Sequence, residues 1–120
     1  MRVVWKFPLK QRINRIVMPE SSHILKVSAE TGEPCMWALV DDTVEVRERL
    51  FMVVGTGWKM VGWPSMGSSY TGTFFVPGGV MGATVGLPPV LVFHVFELWS
   101  EQQAKEICIE QGWPLEDAKG

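Results

Sequence analysis

The chain has 120 residues, 47% of them hydrophobic, with 11 Lys and Arg against 13 Asp and Glu. That is one ordinary domain, large enough to bury a core without disulfides or metal. The size excludes a large multi-domain enzyme, and a net charge of −2 excludes a nucleic-acid binder driven by bulk charge.

Residues 1–19 carry Arg2, Lys6, Lys10, Arg12 and Arg15 and no acid. Within them Val3, Trp5, Phe7 and Leu9 alternate with Val4, Lys6, Pro8 and Lys10, which predicts a strand with one apolar face. Pro8 has no N–H for a ladder and marks an edge strand or a strand end. Residues 24–29 are a second candidate, and Thr31-Gly32-Glu33-Pro34 is a turn signal. In residues 35–40, Cys35, Trp37 and Leu39 share one face and Met36, Ala38 and Val40 the other. Both faces are apolar, so this strand is expected to be central and covered on both sides. Asp41-Asp42 closes it with turn chemistry. Residues 20–49 hold seven acids and three bases.

The stretch 50–96 then contains a single charged residue, Lys59. Residues 44–54 read as a long strand, alternating at first and wholly apolar afterwards, and residues 70–76 and 90–96 supply two more. Gly55, Gly57, Gly62, Pro64 and Gly67 interrupt the apolar run, so it offers no membrane-spanning helix of about 20 residues. Several short strands punctuated by Gly and Pro predict a mainly β, single-domain antiparallel sandwich or curled sheet. The tail differs. Ser100-Glu101-Gln102-Gln103 fits a capping box, Ala104, Ile107, Cys108 and Gln111 mark one face, and Gly112 with Pro114 stops the run. One helix over about 100–111 is expected, with polar residues 116–120 frayed beyond it.

No apolar stretch precedes Lys6 in the way a secretory leader requires. Two cysteines make no disulfide framework and have no metal-ligand spacing, so a reducing intracellular compartment is expected. Cys35 and Cys108 sit among apolar neighbours, where a thiol is inert. His94 shares a strand face with Val92 and Phe96, either as a base or ligand or as a hydrogen-bonded structural residue. His23 falls in a turn, and no His, Asp and Glu cluster suggests a metal.

Gly55-Thr56-Gly57-Trp58-Lys59 and the glycine-rich segment 77–86 can cradle an anion or serve as ordinary turns. Neither has P-loop spacing. Of the six tryptophans, Trp5 and Trp37 are expected in the core, and Trp99 and Trp113 docking the helix. Trp58 and Trp63 beside Lys59 suit stacking on a base or anchoring a protein partner. The candidate ligand-binding set is therefore Trp58, Lys59, Trp63, Tyr70, Thr73 and His94, with Arg12 and Arg15 from the basic arm. No catalytic residue, metal or cofactor is assigned.

The runs Lys6-Phe7-Pro8-Leu9, Gly32-Glu33-Pro34-Cys35-Met36-Trp37-Ala38-Leu39-Val40-Asp41, Gly55-Thr56-Gly57, Tyr70-Thr71-Gly72-Thr73-Phe74 and Leu91-Val92-Phe93-His94-Val95-Phe96-Glu97 occur in this order. In them residues 1–97 resemble an uncharacterised family found mainly in bacteriophage and prophage genomes. Two departures stand out: Trp58, where such proteins have a histidine after Gly-Thr-Gly, and the segment 98–120, an appended helix and tail of the same domain. The resemblance implies a phage accessory protein in the cytoplasm of an infected bacterium. The leading expectation is a non-enzymatic counter-defence protein, a homo-oligomer sequestering a small anionic ligand such as a cyclic nucleotide. The alternatives are an inhibitor bound directly to a host defence protein, as anti-CRISPR proteins are, and a minor virion or assembly component.

Overall fold

The computed structural model describes residues 1–30, 32–60, 69–77 and 90–119. Trp63 and residues 78–86 lie outside them. Among the described residues seven strands, β1 (Arg2–Pro8), β2 (Ile13–Pro19), β3 (His23–Ser28), β4 (Cys35–Asp41), β5 (Val46–Gly55), β6 (Ser69–Pro77) and β7 (Val90–Leu98), precede a helix, α1 (Glu101–Gln111). They form two antiparallel sheets, β1-β4-β3 and β2-β5-β7-β6. The mainly β sandwich with one C-terminal helix is the expected fold, and Pro8 does close an edge strand.

Two apolar layers hold it together. Between the sheets, Ile16, Met18, Met36, Phe51, Phe74 and Val95 are buried against one another. On the far side of the four-stranded sheet, Ile13, Leu50, Met52 and Leu98 meet Ala104, Ile107 and Cys108 of α1. β5 is therefore covered on both faces, its apolar second half serving both layers, and β2 and β7 beside it also contribute to both. The expectation for β4 is corrected on this point: Met36, Ala38 and Val40 are buried, but on the other face, beyond buried Cys35, Trp37 and Leu39 are only half-buried and no layer of the described residues covers them. Trp37 is instead flanked by the ammonium groups of Lys6 and Lys26, and Trp5 is partly exposed at the margin of the sandwich.

β2 has no counterpart in the sequence reading. Its second residue, Asn14, is buried, and its side chain satisfies the connection from β1. Asn14 Oδ1 accepts from the Lys10 and Gln11 amides (2.9 and 3.0 Å), and Nδ2 donates to the Gln11 carbonyl (2.7 Å). A buried amide is tolerated because its donors and acceptor are matched. Arg15 Nη1 and Nη2 reach Glu48 (3.1 Å) and Glu101 (3.0 Å), tying β2 to β5 and to the first turn of α1.

The helix follows its local signals closely. Ser100 accepts from the Gln103 amide at 3.1 Å, although the Gln103 side chain reaches back to the Trp99 amide rather than to Ser100. At the other end Gly112 has φ 71°, and the Trp113 amide donates to Cys108 O at 2.9 Å, a Schellman-type stop that needs glycine. Trp113 packs on the apolar layer under the helix, whereas Trp99 is 70% exposed and is not part of that layer among the described residues. Residues Leu115–Lys119 form a short 3₁₀ helix, and Asp117 from it pairs with Arg12.

The turn after β4 carries a pH signature. Asp41 Oδ1 accepts from the Thr43 hydroxyl (2.6 Å) and the Thr43 amide (3.0 Å). The hydroxyl first, then the amide and the N-terminal ammonium, favour the ionised carboxylate and hold Asp41 down at about 2. Its contribution is present above the usual carboxylate range and is lost as pH falls through about 2. A carboxyl-detected NMR titration is expected to show Asp41 titrating near 2, and to show it rising in Thr43→Ala. An unshifted Asp41 would mean that this turn is open in solution.

Candidate functional site

The segment after β5 turns on its glycines. The Trp58 amide donates to Gly55 O (3.1 Å), Gly57 has φ 88°, and the Thr56 amide donates to Val92 O (2.9 Å), pinning the turn to β7. The Trp58 indole folds back over Gly55 so closely that a Cβ there would lie 2.6 Å from Cε2. Gly57 is thus required by its backbone and Gly55 by its missing side chain. The indole meets Phe93 edge-on at 6.3 Å and Trp113 at 6.4 Å between ring centroids.

This ring is part of the wall of a cavity of about 590 Å³ at one end of the sandwich. Phe74 and Phe93 stack beside it, 5.5 Å apart and 19° from parallel, and Leu9, Pro34, Val53, Val76 and Leu91 complete the apolar lining. The polar part comes from the β1–β2 connection, Lys10, Gln11 and Arg12, and from Asp117. Arg12 lies over the Trp113 ring at 4.8 Å, with Nε 3.3 Å from Asp117 Oδ2. That oxygen is enclosed and takes no well-formed hydrogen bond, so the contact is an ion pair only. A second cavity, about 410 Å³, shares Trp58, Leu91 and Phe93 and adds Thr56 and Val92.

His94 belongs to a different face. Side chains alternate along β7, so Leu91 and Phe93 point into the large cavity while Val92, His94 and Phe96 point to the helix side. There Nδ1 meets Thr73 Oγ1 (3.0 Å), Nε2 meets Thr56 Oγ1 (2.8 Å), and Thr73 in turn meets the Tyr70 hydroxyl (2.5 Å). Both ring nitrogens thus have hydroxyl partners, and a hydroxyl can donate or accept.

Residues 1–106 match a family described as a domain of unknown function, DUF7352. The chain belongs to that family. No curated protein and no solved structure matches it. The DUF7352 match takes in all seven strands and the first half of α1, and with them every apolar wall of the large cavity. Asp117 and Trp113 lie beyond it.

The sequence-derived candidates therefore separate in this DUF7352 chain. Trp58 and Arg12 line the large cavity together. Tyr70, Thr73 and His94 join in the hydroxyl–imidazole relay on the other face. Arg15 is held by Glu48 and Glu101, and Lys59 is exposed, its carbonyl accepting from Gln111 Nε2 at 2.8 Å. Lys10, Phe74, Val76, Leu91, Phe93 and Asp117 were not singled out. The alternation of β7 opposite His94 is the one signal that could have indicated Leu91 and Phe93. Among the described residues no group of three or more His, Cys, Asp or Glu is placed to hold a metal ion, and Cys35 and Cys108 are both buried. No helix among them is long and apolar enough to cross a membrane.

Proposed function

We propose that this protein is a phage-encoded counter-defence factor that sequesters a small anionic nucleotide, a cyclic nucleotide immune signal, without transforming it. The observation that carries the reading is the end cavity. Its volume lies within the roughly 300–1,000 Å³ usual for small-ligand sites. Three aromatic rings offer a planar ligand contact area, and Lys10 offers a cation to an anionic group beside Arg12, which is paired with Asp117. The apolar lining supports a base or sugar face rather than a bare phosphate.

Assembly as a homo-oligomer in the host bacterial cytoplasm is part of the same reading. Its support is β6, an edge strand without a single charged residue, bearing Phe75 at 61% exposure. Edge strands of monomers are usually blunted by charge or proline along their length, and β6 has only its terminal Pro77. The exposed Trp99 and Phe75 also suit the alternative in which the protein caps a host defence protein directly.

Incubation of the purified protein with a panel of cyclic mono- and dinucleotides tests the proposal. The expected result is stoichiometric depletion of one class of nucleotide and its intact recovery after heating. Recovery of a cleaved product would replace the reading with an enzyme. Absence of depletion, with a stoichiometric host protein in a pull-down, would replace it with the inhibitor.

A further inference from the structure

The cations of the N-terminal segment have two fates. Arg12 and Arg15 are engaged within the fold by Asp117, Glu48 and Glu101. Arg2 and Lys6 form no ion pair among the described residues. They occupy the face of β1 opposite to Phe7, which packs on the core, so they point away from the interior. Four residues apart on one strand, they are separated by about 13 Å.

The register carries this face across the sheet. Lys6 is opposite Trp37 on the central strand, and Trp37 is opposite Lys26 on β3. The two ammonium groups lie 5.7 and 5.9 Å from the indole centroid, and the ring is half-buried between them. The next row sets Val4 and Leu39 beside it. Lys26 also meets Glu30 at 2.6 Å, but both ends of that pair are exposed, and such pairs are weak and screened by salt. Among the described residues no element packs over this face. α1, with Glu101, Glu106 and Glu110, lies on the other sheet; on this face the register sets Asp41 opposite Arg2, and that carboxylate is taken up by Thr43 and the N-terminal ammonium.

An aromatic ring on a central strand, with cations on the strands to either side, is the arrangement by which sheets bind unpaired nucleic acid. The ring takes a base, and the cations neutralise the phosphates next to it. We infer that the outer face of the three-stranded sheet binds single-stranded nucleic acid, with one base against Trp37 and phosphates on Lys6, Lys26 and Arg2. Binding is weak and independent of sequence, because only one ring and three cations take part. It is a separate site from the end cavity and does not depend on what the cavity holds. An acidic peptide would use the lysines but would have little use for the indole, which favours nucleic acid.

Fluorescence anisotropy of a labelled oligothymidylate of about a dozen nucleotides, titrated with the full chain at low salt, tests this. The expected result is saturable binding whose log–log salt dependence has a slope of about −2, the value for three phosphate contacts. Trp37→Leu should weaken it roughly tenfold, the loss of one stacked base. Lys6→Gln/Lys26→Gln, on exposed side chains, should flatten the salt dependence to that of a single contact, and decides the matter if Trp37→Leu does not fold. No binding at low salt would overturn the inference, as would binding unchanged in the lysine variant. Equal binding of a duplex, or equal displacement by polyglutamate, would also overturn it and leave a face that merely attracts acidic partners.

Discussion

Arg49→Met is expected to lower the unfolding free energy by about 3 kcal/mol, the largest effect of any charged side chain in this protein. Arg49 crosses from β5 to β7 and meets Glu97 through two parallel bonds, Nε to Oε2 and Nη2 to Oε1, each 2.7 Å. Its remaining nitrogen donates to the Ser22 carbonyl at 2.7 Å, which links the four-stranded sheet to the start of β3. The two side chains are only 16% and 25% exposed. Methionine would leave a largely desolvated carboxylate and a bare carbonyl, and that penalty exceeds the net worth of the pair itself. Removing both partners, as Arg49→Met/Glu97→Leu, should recover most of the loss. Arg15 gives the contrast: its partners Glu48 and Glu101 are 48% and 52% exposed, so Arg15→Met should cost about 1 kcal/mol or less. Urea unfolding at neutral pH measures all three variants, with the slope unchanged if the denatured state is unaffected. A loss below about 1 kcal/mol for Arg49→Met would mean that solvent reaches this pair freely.

Gly55→Ala is expected to cost about 1–3 kcal/mol, although an alanine is ordinarily a mild replacement in a strand. The added methyl would meet Trp58 Cε2 at 2.6 Å, and the indole is braced by Phe93 and Trp113, so it cannot turn aside cheaply. The same substitution in a Trp58→Ala background should be close to neutral, because the obstructing ring is gone. The coupling between the two sites, read from a double-mutant cycle, should therefore account for most of the Gly55→Ala cost. Equal costs in both backgrounds would show that the indole does not lie over Gly55. Since Trp58 walls the end cavity, Gly55→Ala should also weaken whatever the cavity retains.

What could be read from the sequence was what depends on neighbours along the chain. Ser100 and Gly112 bound the helix because a cap and a left-handed stop are local chemistry. The Asp41–Thr43 turn is local in the same way. The strands with clean alternation were legible for a related reason: pleating puts every second residue on one face. β2 was not legible, because Asn14 and Arg15 interrupt its apolar pattern. Asn14 is satisfied mostly by its neighbours Lys10 and Gln11, but the Phe51 carbonyl against which it is buried and the Glu48 and Glu101 carboxylates that hold Arg15 come from far away in sequence. β4 and β5 look alike as apolar runs, and only the placement of α1 decides which is covered twice. Trp58 stood out because a large ring among glycines is hard to bury locally. Its companions Phe74 and Phe93 did not, because they meet only through the register that sets β6 beside β7.

The binding reading rests on the end cavity rather than on the His94 face or the outer face around Trp37. Chemical-shift mapping separates these directly, with the protein titrated by the nucleotide that it depletes. The predicted result is perturbation of the Trp58 indole and of the Val53, Val76 and Leu91 methyl groups, with Thr73 and His94 little changed. Shifts confined to Tyr70, Thr73 and His94, or to the outer face around Trp37, would contradict the cavity as the site.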